Sequence, residues 1–330
     1  MSTPAIETTD LTKTFTVAKS TVTAVDAVNL QVPQGQLVAL LGPNGAGKST
    51  TLKMLTTLLS PTSGSARLLG LDVVRQAAAA RRRFGFVGQG NGAGHMHHGR
   101  DEVIGQALAH GLGKRQAAQR ADELIEALGL TEFARRQVQQ LSGGQRRRFD
   151  IAIGMVSQPD VLFLDEPSTG LDPQNRAHLQ ELIRDLHRRT GATIVLTTHY
   201  LDEADALSER VVVIDHGRVI ADDTAQSLKD ALGDQITVEL PDAASAARAR
   251  GQLLSGHERV EVEARRINVR TTDGPRRALA VVDQLREAGL QPQGLTVTRS
   301  SLDDVFLELT GRSLREAGEE STPTLEEVSA

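Results

Sequence analysis

The sequence contains no cysteine. That absence removes disulfides, thiolate nucleophiles and zinc–thiolate centres together. Aromatic residues make up 2% of the chain, too few for the stacking platforms that bind single-stranded nucleic acid. A basic excess is missing too. The 37 Lys and Arg stand against 42 Asp and Glu, a net charge of −5, whereas a nucleic-acid binder shows a basic face; no nucleic-acid partner is expected. Long apolar runs are also lacking. They reach only a few residues, as at Val211–Ile214, where a membrane span needs about 18. The opening MSTPAIETTD has neither a basic nor an apolar stretch, so no secretory signal is expected. What remains is ordinary globular composition, 39% hydrophobic with 30 glycines in 330 residues, and a length that suits about two domains.

Residues 1–230 alternate strand-like and helix-like stretches, the pattern of a layered α/β domain. Four short apolar runs, Leu37–Gly42, Val161–Pro167, Thr193–His199 and Val211–Gly217, read as strands buried on both faces. Arg75–Arg83, Ala121–Leu130 and Asn175–Arg189 read as helices. From Gly233 the pattern changes to strand Ile236–Leu240, helix Ala243–Leu254, strands Arg259–Ala264 and Arg266–Thr271, helix Arg276–Ala288 and strand Gly294–Arg299. That order, β-α-β-β-α-β, predicts a small ferredoxin-like α+β domain over 233–311. In the helix that follows, Leu302, Val305, Phe306 and Leu309 recur at i, i+3, i+4 and i+7, and Ser301 with Asp304 has capping-box spacing. Residues 312–330 are polar and, from Glu316 on, carry Glu without Lys or Arg. Such a tail is expected to be disordered.

Three motifs carry chemistry. The first is Gly42, Pro43, Asn44, Gly45, Ala46, Gly47, Lys48, Ser49 and Thr50, matching G-x-x-x-x-G-K-[ST] between a strand and a helix, Lys48–Leu59. Glycines let successive N–H groups wrap a phosphate, and the helix N-terminus adds positive potential. Lys48 would bridge the β- and γ-phosphates, and the Ser49 hydroxyl would ligate Mg²⁺. The second is VLFLDEP. Asp165 ends an apolar strand, where it can hold Mg²⁺, and Glu166 can orient and activate a water. The third is LSGGQRRR, Leu141–Arg148, in which a Ser and two glycines open a helix and supply a second set of N–H donors to an anion.

With these three motifs the sequence resembles an ABC-type ATPase, whose signature is LSGGQ, and the likeness covers Ile6 to Thr224. The resemblance implies a RecA-like P-loop core over residues 1–230 with a helical subdomain near 90–158. It implies that Ser142, Gly143, Gly144 and Gln145 act across a homodimer on ATP held by the other copy. Gln89 would be the glutamine lid that senses Mg²⁺ and the partner. Asp172 would lie in the D-loop, His199 would be the switch histidine, and Phe15 would stack on adenine. QRRRFDIA, LFLDEPSTGLDP, TTHYLDEAD, VIDHGRVIADDT and SSLDDVFLELTG further resemble daunorubicin/doxorubicin-resistance-type ATP-binding subunits. These pair with a separate ABC-2-type transmembrane permease on the cytoplasmic side of the membrane and power export. The accessory domain would act as a dimerisation or regulatory clamp.

Several features fit elsewhere. The runs Arg81–Arg83 and Arg146–Arg148 read as solvated or domain-interface faces. His95, His97 and His98 have no adjacent acidic or Cys partner and read as part of a loop over Gly88–Val103 rather than a metal site. That segment stands where the family has LT-x-x-EN, with Asp101 and Glu102 replacing the Glu-Asn pair, so the departure bears on the membrane partner rather than on ATP chemistry. Ribosome- or DNA-acting ABC ATPases carry two cassettes or long coiled coils, and this chain has neither. A nucleotide-binding regulator without turnover would lack Lys48, Asp165, Glu166 or His199, and all four are present.

Overall fold

A computed structural model describes the chain apart from residues 1–2, 18–19, 91, 93, 95, 254–258, 312–313 and 315–330. The acidic tail, except Leu314, and His95 therefore lie outside the described residues. Two compact units divide the chain, one over Met1–Asp222 and one over Asp223–Ser313.

The first unit opens with two long strands, β1 (Ile6–Val17) and β2 (Ser20–Val32), followed by β3 (Leu37–Leu41) and helix α1 (Lys48–Leu55). Strands β4 (Ser63–Leu68) and β5 (Leu71–Asp72), the short helix α2 (Ala77–Ala80) and β6 (Phe84–Val87) come next. The helical stretch holds α3 (Gly99–Ala109), α4 (Lys114–Ala127) and α5 (Gly143–Gly154). The chain then returns through β7 (Val161–Asp165), α6 (Pro173–Thr190), β8 (Thr193–Thr198), α7 (Leu201–Leu207), β9 (Arg210–Asp215) and β10 (Arg218–Asp223).

Two sheets form the unit's core. One is six-stranded, in the order β10-β9-β3-β8-β7-β6, and β9-β3-β8-β7-β6 pair in parallel. β3, β7 and β8 are buried at every position, which is why their sequences are unbroken apolar runs. The other is antiparallel, β2-β1-β4-β5. Between the two sheets lie Ile6, Leu11, Val25, Leu40, Leu52, Leu55, Phe163 and Val212, all fully buried. β6 approaches α5 so closely that a Cβ on Gly85 would overlap the Gly154 carbonyl oxygen and stand 2.9 Å from its carbon. The helix expected over Lys48–Leu59 ends at Leu55, and Thr57 takes φ 61° just beyond it. The segment read as a loop to Val103 is helical from Gly99, where Phe149 packs so tightly that a Cβ would stand 2.6 and 2.8 Å from its ring carbons Cε1 and Cε2.

The second unit contains α8 (Ala225–Leu232), β11 (Asp234–Glu239), α9 (Ala243–Leu253), β12 (Arg259–Glu263), β13 (Arg266–Thr271), α10 (Gly274–Glu287), β14 (Gly294–Thr298) and α11 (Leu302–Thr310). Its sheet is antiparallel in the order β12-β13-β11-β14. With the β-α-β-β-α-β connectivity this is the ferredoxin-like arrangement. Ile236, Val238, Ile267 and Val269 of the sheet pack with Ala246, Ala249, Val281 and Leu285 of α9 and α10. α11 begins with a capping box, Ser301 Oγ accepting from the Asp304 N–H at 3.2 Å. Among the described residues no helix is long and apolar enough to cross a membrane.

Candidate functional site

The phosphate loop links the end of β3 to α1. Gly47 caps α1 with φ 101°, and Gly45 takes φ 77°, both in the left-handed region open to glycine. No side chain caps α1, and its first turn has no acidic residue. The first-turn N–H groups, which have no partner within the helix, therefore present positive potential to an anion. Pro43 and Ala46 are buried under the loop, Asn44 and Gly45 are exposed at its crest, and Thr50 is half-buried on α1. Lys48 is 4% exposed. Its ammonium donates to the carbonyls of Gly42 at 2.7 Å and Pro43 at 2.8 Å and lies 3.9 Å from Glu166 Oε1. Burial pulls its pKa down to about 8 against the opposing pull of Glu166 and Asp165.

The carboxylates arrive on the neighbouring strand. Asp165 ends β7, 2% exposed, and its Oδ1 accepts from the Ser49 hydroxyl at 2.8 Å and the Thr197 hydroxyl at 2.7 Å. Gln89, beyond β6, donates from Nε2 to Ser49 Oγ at 3.4 Å. A hydroxyl and a carboxylate, hard oxygen donors that suit Mg²⁺, thus meet at one point, with the Gln89 amide turned towards them through its nitrogen. Glu166 leaves the strand at φ 46°, a left-handed backbone uncommon for a non-glycine residue. Its N–H donates to Thr197 Oγ1 at 2.9 Å, and its Oε2 accepts from Thr169 Oγ1 at 3.1 Å. His199 Nδ1, buried, lies 3.6 Å from the same Oε2, beyond hydrogen-bond distance. Burial pushes the Glu166 carboxyl up, but His199, Lys48 and Thr169 outweigh it and hold the pKa below its ordinary value. Thr197 holds both carboxylate residues in register, as the parallel pairing Asp165↔Thr197 requires. A buried hydroxyl two residues before His199 was its only sequence signal.

Ser142 N-caps α5. Its Oγ accepts from the Gln145 N–H at 3.2 Å, and its N–H donates to Gln145 Oε1 at 3.0 Å, a reciprocal capping box. Asp172 N-caps α6, accepting from Asn175 N at 2.9 Å and Asn175 Nδ2 at 2.5 Å. A Cβ on Gly144 would stand 3.0 Å from Asn175 Oδ1, while Gly143 faces Leu171. Ser142, Gly143, Gly144, Gln145 and Asp172 thus gather around two adjacent helix starts, apart from the Lys48–Glu166 cluster.

Phe15 lies on β1, half-buried, with Lys13 Nζ 5.2 Å from its ring centre. It pairs with Val22 of β2, two residues from Ala24, whose carbonyl abuts Gly47. His97 Nδ1 lies 2.5 Å from Glu102 Oε1, and His98 Nδ1 lies 3.4 Å from Asp101 Oδ2, so the acidic partners not adjacent in sequence stand one helical turn further on. The Arg146–Arg148 run is not a solvated face. Arg146 donates to the carbonyls of Leu141 and Gln139, and Arg148 to those of Leu128 and Gly129. Arg147, 7% exposed, reaches Gly88, Asp165 and Pro167. Burial lowers the Arg147 pKa, with Asp150 and then Asp165 opposing.

Residues 25–169 match the ABC transporter family model. That stretch includes the phosphate loop, Gln89, LSGGQ and the Asp165–Glu166 pair, and ends before Asp172 and His199. Among solved structures, the dimeric post-hydrolysis state of the ATP-binding cassette MJ0796 bound to ADP and Pi superposes with a TM-score of 0.61 at 26% identity, covering 66% of this chain and 98% of that one. The fold and its buried lysine–carboxylate cluster are those of an ATP-binding cassette, an ATPase. The full length can be placed more closely. The chain is 42% identical over 328 residues to the daunorubicin/doxorubicin resistance ATP-binding protein DrrA of Streptomyces peucetius, covering 96% of this chain and 97% of that protein. It is 43% identical over 297 residues to the daunorubicin resistance ATP-binding protein DrrA3 of Streptomyces coeruleorubidus, covering 89% and 94%. The chain belongs to this family of ABC transporter ATP-binding proteins.

Proposed function

We propose that the chain is the ATP-hydrolysing engine of an exporter for a drug or other hydrophobic compound, attached at the cytoplasmic face to a separate ABC-2-type permease. The convergence of Lys48, Ser49, Gln89, Asp165, Glu166 and His199 carries this reading. Gly42 to Thr50 wrap the phosphates, and Lys48 supplies charge where the γ-phosphate departs. Ser49 and Asp165, with Gln89, would hold Mg²⁺, which neutralises phosphate charge when bound. Glu166, ionised because His199 and Lys48 outweigh its burial, accepts a proton from the attacking water. His199 stands beside it to orient that water and the γ-phosphate, and Phe15 stacks on adenine. Ser142, Gly143, Gly144 and Gln145, with Asp172, act on the nucleotide held by a second copy. ATP binding favours the closed dimer because only that state engages the nucleotide from both sides. The 223–313 unit serves as a dimerisation or regulatory clamp.

The test is Mg²⁺-dependent ATP turnover by the purified chain, alone and with the membrane protein encoded beside it in reconstituted vesicles. Turnover that rises with that partner, and again with one candidate drug, is the expected result. Turnover indifferent to every membrane partner would instead identify an ATPase not coupled to transport.

A further inference from the structure

Two buried side chains on α5, Arg147 and Asp150, have no place in the chemistry above. They stand at i, i+3, which puts them on one face of the helix, and they are 7% and 4% exposed. Each guanidinium nitrogen of Arg147 donates to a backbone carbonyl. Nη1 reaches Gly88 at 2.6 Å, Nη2 reaches Asp165 at 2.8 Å, and Nε reaches Pro167 at 2.9 Å. Gly88 immediately precedes Gln89, while Asp165 and Pro167 flank Glu166 on either side. Asp150 completes the grip, because its Oδ1 accepts from the Gly92 N–H at 3.0 Å, beyond Gln89. One helix face therefore holds the lid glutamine from both sides and the base from both sides.

The N-terminus of that helix, Ser142–Gly144, has a different outlook, since the dimer reading aims it at the nucleotide of the other copy. We infer that Arg147 and Asp150 are positioning residues that couple closure of α5 on the partner's nucleotide to the placement of Gln89 and Glu166 at the chain's own nucleotide. This rests on the assignment of Glu166 and the signature residues made above. The bonds end on backbone, so they set the course of the chain at 88, 92, 165 and 167 regardless of side chain. α5 is a hydrogen-bonded rod of 12 residues, so a tilt of its N-terminus is carried to Arg147 and Asp150, one to two turns along it, and through their bonds to the lid and base. A lysine cannot replace the arginine, because a single ammonium cannot reach three carbonyls from a planar fork.

The experiment measures ATP turnover by the full chain against ATP concentration, with melting temperature beside it, in the parent, Arg147→Lys, Gly92→Pro, Asp150→Asn, Asp150→Ala and Glu166→Gln. Gly92→Pro deletes the N–H that Asp150 accepts, at an exposed position, and carries the test if Arg147→Lys does not fold. A lid and base displaced by about 1 Å predict a kcat lower by on the order of 100-fold in Arg147→Lys and Gly92→Pro. The ATP concentration for half-saturation changes little, and the Hill coefficient falls from above 1 towards 1. Asp150→Asn, which still offers Gly92 an acceptor, keeps more cooperativity than Asp150→Ala. Folded Arg147→Lys and Gly92→Pro with the parent's kcat and Hill coefficient would overturn the inference, as would a parent Hill coefficient of 1. If those variants match the parent while Glu166→Gln is inactive, the coupling alone is wrong. If Glu166→Gln turns over normally, the site assignment beneath it is wrong.

Discussion

Nucleotide binding by this chain should take up protons near pH 8, and Lys48 is the reason. Burial lowers its pKa from 10.5 to about 8. At pH 7 about nine-tenths of the lysines are charged, at pH 8 about half, and at pH 9 about one-tenth. Triphosphate bound against the ammonium favours the charged form and raises that pKa. Binding at pH 8 therefore draws up to about half a proton, and affinity falls about tenfold between pH 7 and pH 9. The fold's own stability moves the other way. Between about pH 8 and 10.5 the folded chain holds fewer protons at Lys48 than the unfolded chain, so this group makes folding more favourable as pH rises through that interval. Its full span is roughly 3 kcal/mol. Isothermal titration of ATP in two buffers of different ionisation enthalpy reads the proton uptake directly, and Lys48→Arg, charged throughout, should flatten the pH profile. An affinity level from pH 7 to 9.5, with identical heats in the two buffers, would refute the argument.

Four further outcomes are expected. Glu166→Gln should retain ATP binding and hydrolyse at least about 100-fold more slowly in a phosphate-release assay. Gly85→Ala forces a methyl into the Gly154 carbonyl and should lower stability by about 1–3 kcal/mol in urea titration; unchanged stability would mean that β6 and α5 are further apart than described. Glu203 is fully buried, and burial raises its pKa despite Thr198 and Ser168. The folded state thus binds that proton more tightly than the unfolded one, and the parent should lose stability relative to Glu203→Gln as pH rises above 4.5; parallel melting curves would contradict this. Removing residues 233–330 should weaken dimerisation or assembly with the permease, as read by sedimentation and co-purification, and no change in either would remove the clamp role.

Legibility in the sequence followed burial. β3, β7 and β8 showed as apolar runs because both faces of a central parallel strand are covered. β1 and β2 left no such trace. The Thr-rich pattern of β1, IETTDLTKTFTV, is one-sided and broken by register shifts between Thr8 and Thr14, so neither alternation nor hydrophobicity marks it. The phosphate loop and Asp165–Glu166 were readable because their chemistry sits in contiguous residues. Arg147 was not, because it is the middle member of three identical residues and its own partners lie 18 to 59 positions away. Ser142 and Asp172 were read for roles across a dimer, and the fold gives each a local task as well, capping the helix it precedes.

The backbone of Glu166 has a consequence for the fate of such proteins over time. A left-handed φ of 46° costs a side-chain-bearing residue of order 1 kcal/mol, whereas glycine is at ease there and asparagine nearly so. Substitutions that discard the base are therefore among those that relax the chain. A duplicated copy freed from selection for hydrolysis would relax its backbone there as it lost its chemistry, at the cost of a carboxylate 3.9 Å from the Lys48 ammonium. Glycine or asparagine at position 166 is the mark by which non-hydrolysing, ATP-binding descendants of this architecture would be known.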